Sequence, residues 1–184
     1  MAHPAQQKFC EHVKNKFPKS FNGIKVLDVG SLDINGSNKP LFDNCEYIGL
    51  DIAPGKNVDI VCIAHEYLAP EEAFDTIIST ECFEHDMYLS KTLLSIVRML
   101  KPGGLFIFTC ATEGRNAHGT INDTPEDSPL TAKIPGWDVF YKNVTEKDIR
   151  DILDIDKIFS NYPFEIVGTL SWDMGLHFYG IKKL

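Results

Sequence analysis

The stretch Lys25-Val26-Leu27-Asp28-Val29-Gly30 constrains the fold of this chain more than any other. An apolar run with an acid near its end that breaks at a glycine reads as a buried strand of a parallel sheet entering a turn. The loop then runs through Ser31, Asp33 and Asn35 to Gly36. In open α/β sheets, the crevice beyond the carboxyl ends of the strands takes nucleotide-like ligands. A second apolar run, Tyr47 to Asp51, also ends on an acid, and Asp51 lies 21 residues beyond Gly30. The spacing is close to the ~20 at which an acid on the second strand takes a ribose diol. One glycine-bearing loop and two strand-end acids predict an adenosine-type ligand.

Charge narrows that ligand. A dinucleotide fingerprint needs three closely spaced glycines so that the backbone can touch a pyrophosphate. Here only Gly30 and Gly36 are present, Asp28 and Asp33 flank the loop, and no lysine or arginine lies within it. Two carboxylates repel a pyrophosphate, which argues against a nicotinamide-dependent oxidoreductase. The same acids suit a ligand with an ammonium group, a sulfonium and a ribose diol, which is the description of S-adenosylmethionine.

The rest of the chain is read as one domain over 1–184, with an N-terminal helical segment at 1–22 and a substrate or lid loop at 111–145. Phe9, Val13 and Phe17 recur at four-residue spacing, an amphipathic helix stopped by Pro18. Strands are expected at Ile24 to Val29, Tyr47 to Asp51, Val58 to Cys62, Phe74 to Ser79 and Leu105 to Thr109. A weak helical turn is expected near Pro40. The apolar face of Leu89, Leu93, Ile96 and Leu100 predicts a helix over Met87 to Leu100, ended by Pro102-Gly103-Gly104. Cys110 to Asn143 is long and polar, as binding loops are. Thr145 and Asp148 form a capping-box pattern for a helix running to about Ile158. Phe164 to Leu170 and His177 to Ile181 predict an antiparallel terminal hairpin.

A net charge of −8 argues against a nucleic-acid partner, because phosphate contacts need basic surface. Hydrophobic content of 43% with 24% charged residues is that of a globular protein. No run approaches a membrane span, and no signal-peptide pattern opens the chain. Five scattered cysteines read as reduced thiols, and a cytoplasmic location is the expectation. No group of carboxylates and histidines shows metal-ligand spacing along the chain, so no metal is expected. Oligomeric state is not encoded in any pattern: the N-terminal helix suits either covering a pocket or joining two copies.

With these residues in hand, the chain resembles the class I S-adenosylmethionine-dependent methyltransferases, in particular the small type-11 group. The resemblance is carried by Val26 to Gly30, Gly49-Leu50-Asp51, Phe74 to Ser79, Glu81 to His85 and Leu100 to Leu105. It implies an α/β fold: a Rossmann-like, seven-stranded, mostly parallel sheet with helices on both faces and a C-terminal antiparallel hairpin. It also implies that Asp28 and the Gly30-Ser31 backbone hold the methionine end of the cofactor, that Asp51 takes both ribose hydroxyls, and that Ile52 lies on the adenine face. The family often has an acid after the third strand that reads the adenine amino group. This chain has Ile63 and Ala64 there, which leaves backbone groups for that task. Ser79, Glu81 and His85 fall at the methyl end of the cofactor, where they either act on the ligand or fix the local loop. His118, in the long loop, is the remaining candidate base, against the plainer reading of a surface histidine.

The expected reaction is in-line methyl transfer to an oxygen, nitrogen or carbon of a small molecule. A non-catalytic protein on the same fold, binding the cofactor or a partner, stays open beside it.

Overall fold

The computed structural model describes residues 4–184; residues 1–3, the start of the expected N-terminal segment, lie outside the described residues. Helix α1 (Pro4–Lys16) leads through a 3-10 turn into β1 (Lys25–Val29). The chain continues through β2 (Glu46–Asp51), β3 (Ile60–Val61), β4 (Phe74–Thr80), α2 (Leu89–Met99) and β5 (Leu100–Ala111). After a long segment come α3 (Glu146–Ile152), α4 (Ile155–Ile158), β6 (Phe159–Ser160), β7 (Phe164–Val167) and β8 (Gly175–Lys182).

All eight strands join one sheet in the order β3-β2-β1-β4-β5-β8-β6, with β7 also on β8. The first five pair in parallel, and β8 is antiparallel to β5, β6 and β7. Strands β6 and β7 flank different halves of β8: Phe159 pairs with Lys182, whereas Val167 pairs with Gly175. The expected seventh strand position is therefore filled by two short pieces.

Consecutive residues of the central strands serve opposite faces, as the pleat requires. Val26, Ile78, Leu105 and Ile107 pack with Phe9, Cys10 and Val13 of α1 on one face. Leu27, Ile77, Phe106 and Phe108 pack with Leu93 and Ile96 of α2 and Ile149 of α3 on the other. Both faces are thus covered, and the strands read as continuous apolar runs for that reason.

One expectation changes and another is met. The helix expected to reach Ile158 breaks at Leu153, which is extended, and Asp154 accepts from the Lys157 amide to start a new turn. Among the described residues, α2 is the only α-helix between parallel strands; β1 and β2 are joined through a single 3-10 turn, Lys39–Leu41. Pro40 sits in that turn and permits little more.

Because β2 and β3 extend the sheet on one side of β1 and β4 and β5 on the other, the order in which strands are added reverses between the parallel neighbours β1 and β4. A crevice opens there, at the carboxyl ends of the strands.

Candidate functional site

The crevice is a cleft of about 1030 Å³ counted to its open mouth. Its floor is the β1 end and following loop, Asp28 to Leu32, and one wall is Asp51, Ile52, Ile63 and Ala64. Glu81, Cys82 and His85, beyond β4, form the opposite wall. Gln6 and Gln7 of α1 and the segment Asp127 to Thr131 with Trp137 cover it. Gln6 and Gln7 thus place α1 at the cleft. Among the described residues no lysine or arginine lines the cleft, whereas five acids, Asp28, Asp51, Glu81, Asp86 and Asp127, do.

Asp28 is buried at 3% exposure. Its Oδ2 accepts a hydrogen bond from the Tyr47 hydroxyl at 2.6 Å, and its Oδ1 is buried with no partner. Burial pushes its pKa up to about 7, and the Tyr47 bond only partly offsets the rise. An unpartnered acid oxygen in a ligand cleft suits an ammonium donor.

Gly30 follows at φ +80°, and a Cβ there would lie 2.5 Å from both Cβ and Sγ of Cys82. Only glycine lets the loop pass that close. Ser31 lines the cleft, with its hydroxyl donated to the Asn57 carbonyl at 3.0 Å.

Asp51 accepts from the Leu32 amide at 3.0 Å on Oδ2 and from the Ile52 amide at 2.7 Å on Oδ1. The carboxylate thereby ties the β1 loop to β2 and keeps a further lone pair on each oxygen for a diol. Burial raises its pKa, partly offset by these two amides.

Ser79 is placed differently from the expectation. It does not line the cleft: fully buried, it donates to the Val29 carbonyl at 2.9 Å and ties β4 to β1. An apolar run ending in serine gives no sign of which way the hydroxyl points.

Of the three candidate bases, Glu81 is held by its surroundings. Thr109 donates to its Oε1 at 3.0 Å, and Arg115 lies 3.5 Å from Oε2, both side chains being buried. Its backbone is left-handed at φ +52°, a strain that a supporting structure must hold in place. His85 lines the cleft with its pKa lowered to about 3, mainly by burial and then by His118. Burial also lowers His118. Imidazoles so hard to protonate are weak proton acceptors at neutral pH.

His118 reaches the same place from far along the chain. Its ring lies 5.2 Å from that of His85 and 4.9 Å from that of Tyr141, edge-on. It also borders a second cavity, with Arg115, Thr124 and Trp172, and Asp127 lines both spaces.

Sequence spacing pointed to no metal-ligand group; in the fold, three residues of ligating type meet. Glu84, His85 and His118 each offer one ligand atom, all within 4.8 Å of one another. The third member comes from a loop more than thirty residues away, which is why no linear spacing revealed it. Tyr47, Gln6 and Trp137 are further site residues without a linear signal.

The sequence of residues 1–137 matches the family model described as a methyltransferase domain. The chain belongs to this methyltransferase-domain family. No curated protein matches the chain by sequence. The fold is shared with Haemonchus contortus phosphoethanolamine N-methyltransferase 2 in complex with S-adenosyl-L-methionine: 17% identity, TM-score 0.65, 96% of this chain and 52% of that one. This chain thus spans about half of that protein. A Burkholderia thailandensis 1,6-didemethyltoxoflavin-N1-methyltransferase with bound 1,6-didemethyltoxoflavin and S-adenosylhomocysteine gives TM-score 0.67 at 15% identity, over 98% of this chain and 79% of that one. A methyltransferase from Aquifex aeolicus gives 0.60 at 15% over 98% and 94%.

The cofactor of the methyltransferase domain is S-adenosylmethionine, and the residues present fit it: an orphaned acid oxygen on Asp28, a second acid, Asp51, with a lone pair left on each oxygen, and, among the described residues, no lysine or arginine lining the cleft. Among the described residues, no helix is long and apolar enough to cross a membrane.

Proposed function

We propose that this domain methylates a small molecule at an oxygen, nitrogen or carbon atom, with Asp28, Gly30 and Ser31 holding the methionine end of the cofactor and Asp51 and Ile52 its nucleoside. The bound cofactor supplies a methyl group on a positive sulfur and needs no further activation. The chain's work is therefore placement. Asp28 Oδ1 supplies the acceptor for an ammonium, and the Gly30 turn, closed by the Gly30 and Ser31 amides donating to the Leu50 carbonyl, brings the backbone close to the same end. Ile63 and Ala64 offer backbone groups beside the base. Trp137 and the 127–131 segment exclude water from above, and alignment of this kind can supply up to ~7–11 kcal/mol of a barrier.

The observation that carries this reading is the acid pair, Asp28 and Asp51, in a cleft that no described lysine or arginine lines. The second cavity, which touches the first at Asp127, gives an acceptor a place to lie. Small acceptors are also named for the Haemonchus and Burkholderia proteins of the same fold. The acidic chain disfavours a nucleic-acid acceptor.

Calorimetric titration with S-adenosylhomocysteine tests the reading, with NAD and Asp51→Ala as controls. Micromolar or tighter binding, lost in the variant and absent for NAD, is expected. A folded sample that binds neither ligand overturns it and leaves a partner-binding role on the same fold.

A further inference from the structure

Glu84 follows the left-handed Glu81 in the turn after β4 and is fully buried. Neither of its carboxylate oxygens has a hydrogen-bond partner. Buried carboxylates are almost always satisfied, because removing them from water is costly. His118 does not satisfy it: Nε2 stands 3.9 Å from Oε1, beyond hydrogen-bond length. The Nδ1 of His85 is likewise buried and unpartnered.

The tautomer of His118 follows from its other nitrogen. Nδ1 lies 3.1 Å from the Asn116 carbonyl, which can only accept, so Nδ1 carries the proton and Nε2 presents a lone pair. A backbone carbonyl on one imidazole nitrogen is the usual outer support of a histidine that binds metal through the other. The neighbouring guanidinium of Arg115 is paired with Glu81, so its charge is offset beside the cluster.

We propose that Glu84, His85 and His118 form a binding site for a divalent transition-metal ion at the junction of the two cavities. One carboxylate and two imidazoles suit Mn²⁺, Fe²⁺, Co²⁺ or Zn²⁺ better than Ca²⁺ or Mg²⁺, which prefer all-oxygen shells. Three protein ligands leave positions open for an outside group. His85 faces the cofactor cleft and His118 the second cavity. If the methyl-transfer reading holds, the open positions face the acceptor, which would then be a molecule with a metal-ligating oxygen or nitrogen near the methylated atom.

The test is equilibrium dialysis of the chelator-treated full chain against Co²⁺ and Zn²⁺, with the visible spectrum of the Co²⁺ form recorded. One ion per chain is expected, with ligand-field bands of an imidazole-containing site. His118→Ala and Glu84→Gln, each shown to be folded by circular dichroism, are expected to lose at least tenfold in affinity. No ion bound to folded wild type overturns the proposal. Binding of equal strength in both variants also overturns it, because the ion then sits elsewhere, for instance on cysteine. S-adenosylhomocysteine titration of the metal-free protein, run in parallel, reports on the cofactor reading separately from the metal.

Discussion

Tyr47 donates its hydroxyl to one oxygen of Asp28 at 2.6 Å and leaves the other oxygen buried and unpartnered in the cofactor cleft. Strands β2 and β1 are neighbours in parallel register, with Asp28 opposite Gly49, so Tyr47 is placed by the sheet itself. The acid is positioned for a cation and destabilised until one arrives.

This arrangement makes stability and binding respond oppositely to one change. With its folded pKa raised to about 7 from 3.8, Asp28 keeps its proton in the native state over a window where the unfolded chain has lost it. Native protein then binds more protons than unfolded, so this group's contribution is full below about pH 4 and lost as pH rises through 7, on the order of 4 kcal/mol in total. Asp28→Asn removes the ionisable group and keeps an acceptor for Tyr47. The variant is expected to melt higher than wild type at pH 8 while binding S-adenosylhomocysteine at least tenfold more weakly, by scanning calorimetry and titration.

The same shift predicts proton release. An ammonium beside Asp28 favours the ionised acid, so below pH 7 cofactor binding expels a proton and affinity weakens by up to about tenfold per pH unit. Above pH 7 the dependence flattens. Titrations in two buffers of different ionisation enthalpy measure the proton directly. Equal heats at pH 6 mean that Asp28 is not the ammonium partner.

Gly30→Ala meets two obstacles: a backbone at φ +80° and the Cys82 side chain 2.5 Å from the new Cβ. A loss of about 2–3 kcal/mol in urea denaturation is expected. The double variant with Cys82→Gly removes the steric share and leaves about 1 kcal/mol of backbone strain.

The legible parts of this protein were those written in local pattern. β1, β2, β4 and the terminal hairpin follow from apolar runs, and α1 from the spacing of Phe9 and Val13. Thr145 and Asp148 form the reciprocal cap that their spacing predicts. The split edge strand was not legible, because Phe159-Ser160 is two residues long and is defined only by its partner β8. Ser79 stayed open between ligand and structure because strand position does not say whether a hydroxyl meets ligand or backbone; its hydroxyl meets the Val29 carbonyl. The Glu84–His85–His118 cluster was hidden for a stronger reason: it exists only once the loop after β5 folds back over the turn after β4.

That loop re-enters the fold at Thr145, whose hydroxyl accepts from the Asp148 amide while Asp148 accepts from the Thr145 amide. Thr145→Ala is expected to cost ~1 kcal/mol. Despite burial, hydrogen bonds from Lys142 and Thr145 hold the Asp148 carboxyl at about 2. Its contribution is therefore present above about pH 4 and lost as pH falls through 2, and the variant's acid unfolding midpoint should move upward. Denaturation at pH 7 and pH 3 measures both effects.

In the proposed binding mode Asp28 and Asp51 recognise opposite ends of one ligand, and fragments of that ligand separate them. Adenosine has the diol and lacks the ammonium. Asp51→Ala is expected to weaken adenosine and S-adenosylhomocysteine by a similar factor, about 10–100-fold for hydrogen bonds to a charged acceptor. Asp28→Asn is expected to weaken S-adenosylhomocysteine alone and leave adenosine unchanged. The Asp51 variant also frees the amides of Leu32 and Ile52, so Asp51→Asn, which keeps one acceptor oxygen, should lie between Ala and wild type. If Asp28→Asn weakens adenosine as much as the whole cofactor, the orientation assigned to the ligand is reversed.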